Sequence, residues 1–137
     1  MKRYIACLLA LLCVAVLMVA CGKETGYQPT EVENVTMQIL DVSATGATVV
    51  IKDTNEEPYM YGSWYKIERE TDGKWTEVKT VIDNYGFDLV GYLPDINGEV
   101  KFDVNWEWLY GQLSPGNYRI VKEVNSQNIS VEFRVEA

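Results

Sequence analysis

From Val35 to Val135 the apolar residues recur every second position, and no helical stripe there runs longer than two turns. That constrains the chain more than any other feature. A period of two places alternate side chains on opposite faces of a strand, so each such run buries one face and wets the other. Val35, Met37 and Ile39 alternate with Thr36, Gln38 and Leu40. After a turn at Ala44-Thr45-Gly46, Ala47, Val49 and Ile51 alternate with Thr48, Val50 and Lys52. Tyr65, Ile67 and Arg69 share a face opposite Trp64, Lys66 and Glu68. Asp72-Gly73 then predicts a two-residue hairpin turn into Lys74–Val78, because a type I′ turn needs positive φ at both central residues. Val100, Phe102, Val104 and Trp106 form the next alternating set, and Ile129, Val131, Phe133 and Val135 the last.

Between these runs lie polar turn segments. Thr80–Glu99 is the longest and is partly apolar, so one short edge strand is expected inside it. Glu107–Gln112 suits a single helical turn. About seven short strands with turns every ~8–12 residues predict an all-β fold, an antiparallel β-sandwich of immunoglobulin-like topology. Leu113-Ser114-Pro115-Gly116-Asn117-Tyr118 has the form of a tyrosine corner, in which the Tyr118 hydroxyl reaches back to backbone near 113–115. On that reading 100–106, 117–124 and 129–135 are strands E, F and G. Trp64 or Tyr65 is then the core aromatic of strand C.

The first residues carry an address. Met1-Lys2-Arg3 is followed by an uncharged, Leu/Val/Ala-rich run from Tyr4 to Ala20 and then by Cys21. A basic start, an apolar stretch and a small-residue end make an export signal. Leu17-Met18-Val19-Ala20-Cys21 resembles a bacterial lipobox. That resemblance implies cleavage after Ala20, lipid on Cys21 and attachment to the extracytoplasmic face of the cell membrane. The expected organisation is a signal peptide over 1–20, a flexible tether over 21–31 and the sandwich over 32–137. Cleavage removes 20 of 137 residues, Lys2 and Arg3 among them but no acid, so the net charge of −8 becomes −10. Cys7 and Cys13 leave with the leader. Cys21 is committed to lipid, so no intramolecular disulfide is expected.

Composition narrows the function. The chain has no histidine, which excludes Ser-His-Asp and Cys-His nucleophile pairs and His-ligated metals. With 12 Lys and Arg against 20 Asp and Glu, it has no clustered cations with which to neutralise phosphates, so no nucleic-acid partner is expected. Glu56-Glu57, Glu68/Glu70 and Asp103/Glu107 read as solvated acids. Asp53–Glu56 and Asp95–Gly98 read as polar turns in place of calcium loops, because the ligand spacing is incomplete. No catalytic residue, cofactor or metal ligand is assigned, and the chain reads as a non-enzyme.

Aromatic residues are the surplus: 4 Trp, 9 Tyr and 3 Phe, of which only Tyr4 falls in the leader. They cluster at Tyr59–Tyr65 and Trp106–Tyr110. Such rings fill a core or make a contact surface, and the sequence leaves both open. Trp64, Trp106, Trp108 and Tyr110 are the candidate binding residues, and Trp108 is singled out because it lies just past strand E. An envelope protein or a glycan is the partner class such a patch suits.

Glu68, the Asp72-Gly73-Lys74-Trp75 hairpin, Trp106–Gly111 and Pro115–Lys122 together resemble the bacterial Ig-like domain of small lipoproteins of Gram-positive bacteria. The likeness spans roughly 34–135. It implies the sandwich and a surface location, and no established activity. A weaker likeness to small Ig-like proteinase inhibitors implies a second role, with a loop such as 79–99 presented to a secreted or envelope proteinase.

Overall fold

The computed structural model describes residues 29–137. The signal peptide, Cys21 and most of the tether lie outside that range. Among the described residues, nine strands and one short helix follow in order: β1 (Val35–Leu40), β2 (Gly46–Asp53), β3 (Tyr61–Gly62), β4 (Lys66–Thr71), β5 (Lys74–Glu77), β6 (Gly91–Tyr92), β7 (Glu99–Asn105), α1 (Glu107–Tyr110), β8 (Gly116–Val124) and β9 (Gln127–Val135). Seven are the alternating strands expected, and β6 is the short strand expected within 80–99. Only β3, which pairs with β6, is additional among the described residues.

Two antiparallel sheets face each other. One has the order β1-β2-β7 and the other β5-β4-β8-β9. Their inner faces meet where alternation places apolar residues: Val49 and Ile51 from β2, Ile67 from β4 and Ile120 from β8 are fully buried. The immunoglobulin-like sandwich is therefore present, with an apolar core between its two sheets.

Turn chemistry sets the register. Asp72 and Gly73 take φ of 52° and 75°, the mirror-image turn that matches the twist of β4 and β5. Asn125 and Ser126 do the same between β8 and β9, at φ 47° and 61°. Because that turn takes only two residues, Val124 pairs with Gln127 and β9 begins there, two residues before the expected start.

Tyr118 closes the corner before β8, its hydroxyl donating to the Ser114 carbonyl at 2.6 Å. Its ring stacks on Phe133, with centroids 5.6 Å apart. Tyr118→Phe keeps the ring and leaves the carbonyl without its partner. A loss of about 1–2 kcal/mol is expected in urea melts. An unchanged midpoint would show that the corner adds nothing to stability.

Two acids are not solvated. Glu68 is fully buried, with Lys66 Nζ at 2.8 Å and the Arg119 guanidinium on its other oxygen. Arg119 also lies over the Trp75 ring at 4.7 Å. Glu68 and Arg119 are register partners on the face opposite Ile67 and Ile120. Strand β4 is thus buried on both faces at its start, where the alternation predicted one wet face. The second buried acid, Asp53, ends β2.

Candidate functional site

One turn of helix sorts the second aromatic cluster. Residues three and four apart share a helix face, so Trp106, Leu109 and Tyr110 point together and Trp108 does not. The first three face the core. Trp106 is fully buried, its ring stacked on Phe133 at 5.2 Å and its indole N–H donated to the Ala44 carbonyl at 2.9 Å. Tyr110 is buried, and its hydroxyl accepts the Ile67 N–H at 3.3 Å. Burial pushes its phenol up. Trp106 and Tyr110 are therefore corrected from candidate contact residues to core. A buried ring with its polar atom satisfied offers nothing to a partner.

Trp108 keeps 42% of its surface exposed. It stands edge-on to Phe87 at 5.8 Å and to Tyr85 at 6.4 Å, and those two rings are themselves edge-on at 6.2 Å. The turn beneath Trp108 is fixed from outside: the Asn105 side chain accepts the Glu107 N–H at 2.9 Å, and Thr45 supplies its carbonyl to Trp106 N–H at 3.0 Å. The result is an aromatic corner whose members come from 85–87 and α1.

The first cluster divides as well. Tyr61 is buried at the other end of the molecule and donates to Asp53. Burial pushes its phenol up, and the bond to the Asp53 carboxylate adds to that. Tyr65 is buried, donates to the Asn105 carbonyl at 3.2 Å and touches Phe87 edge-on at 5.2 Å. Its phenol is pushed up to about 12 by burial. Trp64 is half-buried. Its carbonyl accepts a bond from Lys122. Tyr65 links the two aromatic clusters, its ring centroid 6.4 Å from that of Tyr110.

Lys122 is in phase with Tyr118 and Ile120 on the core face of β8, and there it acts as a tie. Its Nζ donates to the Gly62 and Trp64 carbonyls at 2.9 and 3.0 Å and sits 4.0 Å over the Phe102 ring. Burial pushes the ammonium down to about 8.

The 79–99 stretch runs along the sandwich between its two ends. Val81 N–H bonds Leu109 carbonyl at 2.8 Å, Ser63 Oγ bonds Asp88 at 2.6 Å, and Tyr92 pairs with Tyr61. It stands off β7, and a groove is left between them. Trp108 sits at one end of that groove and Tyr92 at the other, with Phe87 and Asp88 opposite Phe102 and Asp103.

An antiparallel two-sheet sandwich with a tyrosine corner and an edge groove defines an immunoglobulin-like domain, a class suited to non-catalytic binding or structural roles. Residues 31–134 match the bacterial Ig-like domain family, and the chain belongs to it. No curated protein and no solved structure matches the chain.

Proposed function

We propose that this chain is a lipid-anchored, extracytoplasmic Ig-like module that acts by binding through the corner of Tyr85, Phe87 and Trp108. The observation that carries the reading is Trp108 itself. It is a large ring left 42% exposed while its neighbours hold it in one orientation. Rigid amphipathic rings give contact area at little entropic cost. Truncating Trp108 to alanine should weaken capture of an envelope partner by more than ~1 kcal/mol. Because half the ring is already wet, folding stability should fall by only about 1 kcal/mol. Pull-down from intact envelope, with a denaturant melt of the same variant, separates the two. Undiminished capture would remove Trp108 from the binding surface.

Anchoring rests on the lipobox-like ending at Cys21. The fold is compatible with it. Thr30 N–H bonds the Asn128 carbonyl at 2.8 Å, so the chain enters the domain beside the β8–β9 turn. Trp108 lies at the opposite end, after β7. A lipid on Cys21 leaves seven residues, Gly22–Gln28, before Pro29, a reach of about 25 Å at most. The aromatic corner then points away from the bilayer. The mature charge does not favour an anionic surface, so the lipid does the holding. Cys21→Ser should shift the protein from the detergent phase to the aqueous phase, or leave it as unprocessed precursor. Unchanged mass and partitioning would end the anchor.

A further inference from the structure

We propose that the groove beside β7 takes an extended peptide of basic character, which adds as the strand the first sheet lacks on that side. This deepens the binding reading above and rests on it, because Trp108 stands at the groove's mouth.

The phase of β7 carries the argument. In an antiparallel pair the backbone groups of successive residues point alternately to the partner and away from it. Asp53 N–H bonds the Gly98 carbonyl at 2.8 Å, which sets the even-numbered residues toward β2. Glu99 exchanges bonds with Asp95 on the other side, and the Asn105 carbonyl accepts from Tyr65 there. Odd-numbered residues therefore face the groove. Lys101 and Asp103 lie between those two anchored points. Among the described residues, no strand pairs with that edge of β7. Two N–H groups and two carbonyls are thus presented at the strand repeat of about 6.8 Å.

The walls suit one strand and not a second sheet. The 86–88 segment and Tyr92 flank the slot, and Lys101 is an exposed charge on this edge strand, of the kind that discourages edge-to-edge pairing. An added strand would turn alternate side chains toward the Phe102 and Trp108 rings and toward the outer rim. On the rim, Asp103 is steadied by the Thr48 hydroxyl at 3.1 Å and Asp88 by Ser63 at 2.6 Å. Each bond uses one carboxylate oxygen. The two carboxylates outnumber the one ammonium of Lys101 in the groove lining, and with a chain charge of −8 they favour cationic side chains at the rim positions.

The test uses the full chain in detergent micelles and the probe acetyl-Lys-Val-Lys-Val-Lys-amide. Two further probes carry N-methyl groups on the Lys or on the Val amides, and chitotetraose serves as the glycan arm. Saturable binding is expected, with amide exchange at Lys101 and Asp103 slowed more than tenfold. One of the two N-methylated probes should lose that effect, because only one set of peptide amides faces β7. Asp103→Lys should weaken binding at least tenfold with an unchanged melt. If that variant unfolds, the N-methyl comparison on the natural chain still decides. A peptide that fails to bind, or binds without protecting the two amides, overturns the proposal. So does chitotetraose occupying the groove in its place. Loss of peptide binding with Trp108-dependent capture intact overturns strand addition alone, whereas loss of both removes the binding reading as well.

Discussion

Replacing Trp106 with alanine should cost about 3–5 kcal/mol, the range for a large buried ring whose cavity cannot fully collapse. The site offers little room to relax. The indole is fully buried between the Phe133 ring on one side and the loop at Ala44 on the other. Two losses add. The cavity forfeits contacts to Phe133, and the Ala44 carbonyl loses its donor. That carbonyl also accepts Leu113 N–H at 2.8 Å, so it is not orphaned, and the cavity is the larger loss. Trp106→Phe refills part of the volume and should recover about half. For a domain of this size each kcal/mol moves the midpoint by about 4–8 °C, so the alanine variant should melt at least ~12 °C lower. A drop under ~4 °C would mean that α1 swings away and lets the core close. The contrast with Trp108→Ala, two residues on, is itself informative: one ring is core and the other surface, and the same truncation should differ severalfold in cost.

That contrast marks the limit of what was legible in the sequence. The fold followed from alternation and turn chemistry. Both are local, and the Asp72-Gly73 turn shows why: its backbone needs positive φ twice, and few dipeptides supply it. The tyrosine corner was legible for the same reason, since Tyr118 reaches only four residues back. The sorting of aromatics was only half legible. Trp106, Leu109 and Tyr110 fall on one helical face, and that spacing was available in the sequence. A single turn gives too short a window to assert a helical period, so Trp106 and Tyr110 were grouped with Trp108. What brings Tyr85 and Phe87 to Trp108 was not legible at all. It depends on an irregular stretch crossing from one sheet to the other and pinned by distant bonds, such as Val81 to Leu109.

Buried charge was the other blind spot. Solvation is the usual state of an acid, and nothing local distinguishes Glu68 from Glu70. The difference lies in register. Glu68 sits opposite Arg119 on the neighbouring strand, whereas Glu70 sits opposite Trp75 at the edge. Lys122 was hinted at by alternation alone, because its place in the period is apolar. Its partners, the Gly62 and Trp64 carbonyls, come from some sixty residues away in the chain.

Asp53 carries the second large expected effect. Its carboxylate accepts four bonds. Asn55 gives its N–H at 3.0 Å and its side-chain amide at 2.8 Å, Tyr59 gives its N–H at 2.8 Å, and the Tyr61 hydroxyl gives a fourth at 2.8 Å. The backbone of Asp53 meanwhile bonds Gly98. Gly98 itself has φ 75°, and any Cβ there would sit 2.6 Å from the Asp53 carbonyl oxygen. One side chain therefore holds the loop after β2, and its backbone holds the turn before β7. Asp53→Ala leaves the Tyr59 N–H and the Tyr61 hydroxyl without acceptors in a buried site. At about 1–3 kcal/mol for each buried orphan, a loss of about 3–4 kcal/mol is expected. Acid should expose the same interaction by another route. Burial alone would raise the Asp53 carboxyl, but the bonds from Asn55, Tyr59 and Tyr61 outweigh it and hold the group below its ordinary 3.8. A folded-state value below the unfolded one adds stability above pH ~3.8, and that stability is lost as pH falls through the lower value. Asp53→Asn keeps the shape and cannot titrate. Urea melts of the natural chain and of Asp53→Asn should differ most at pH 5–7 and converge below pH ~3.8. The remaining acids are common to both proteins and cancel in the difference. A gap that stays constant from pH 7 to pH 3 would show that the carboxylate's charge plays no part in holding the two loops.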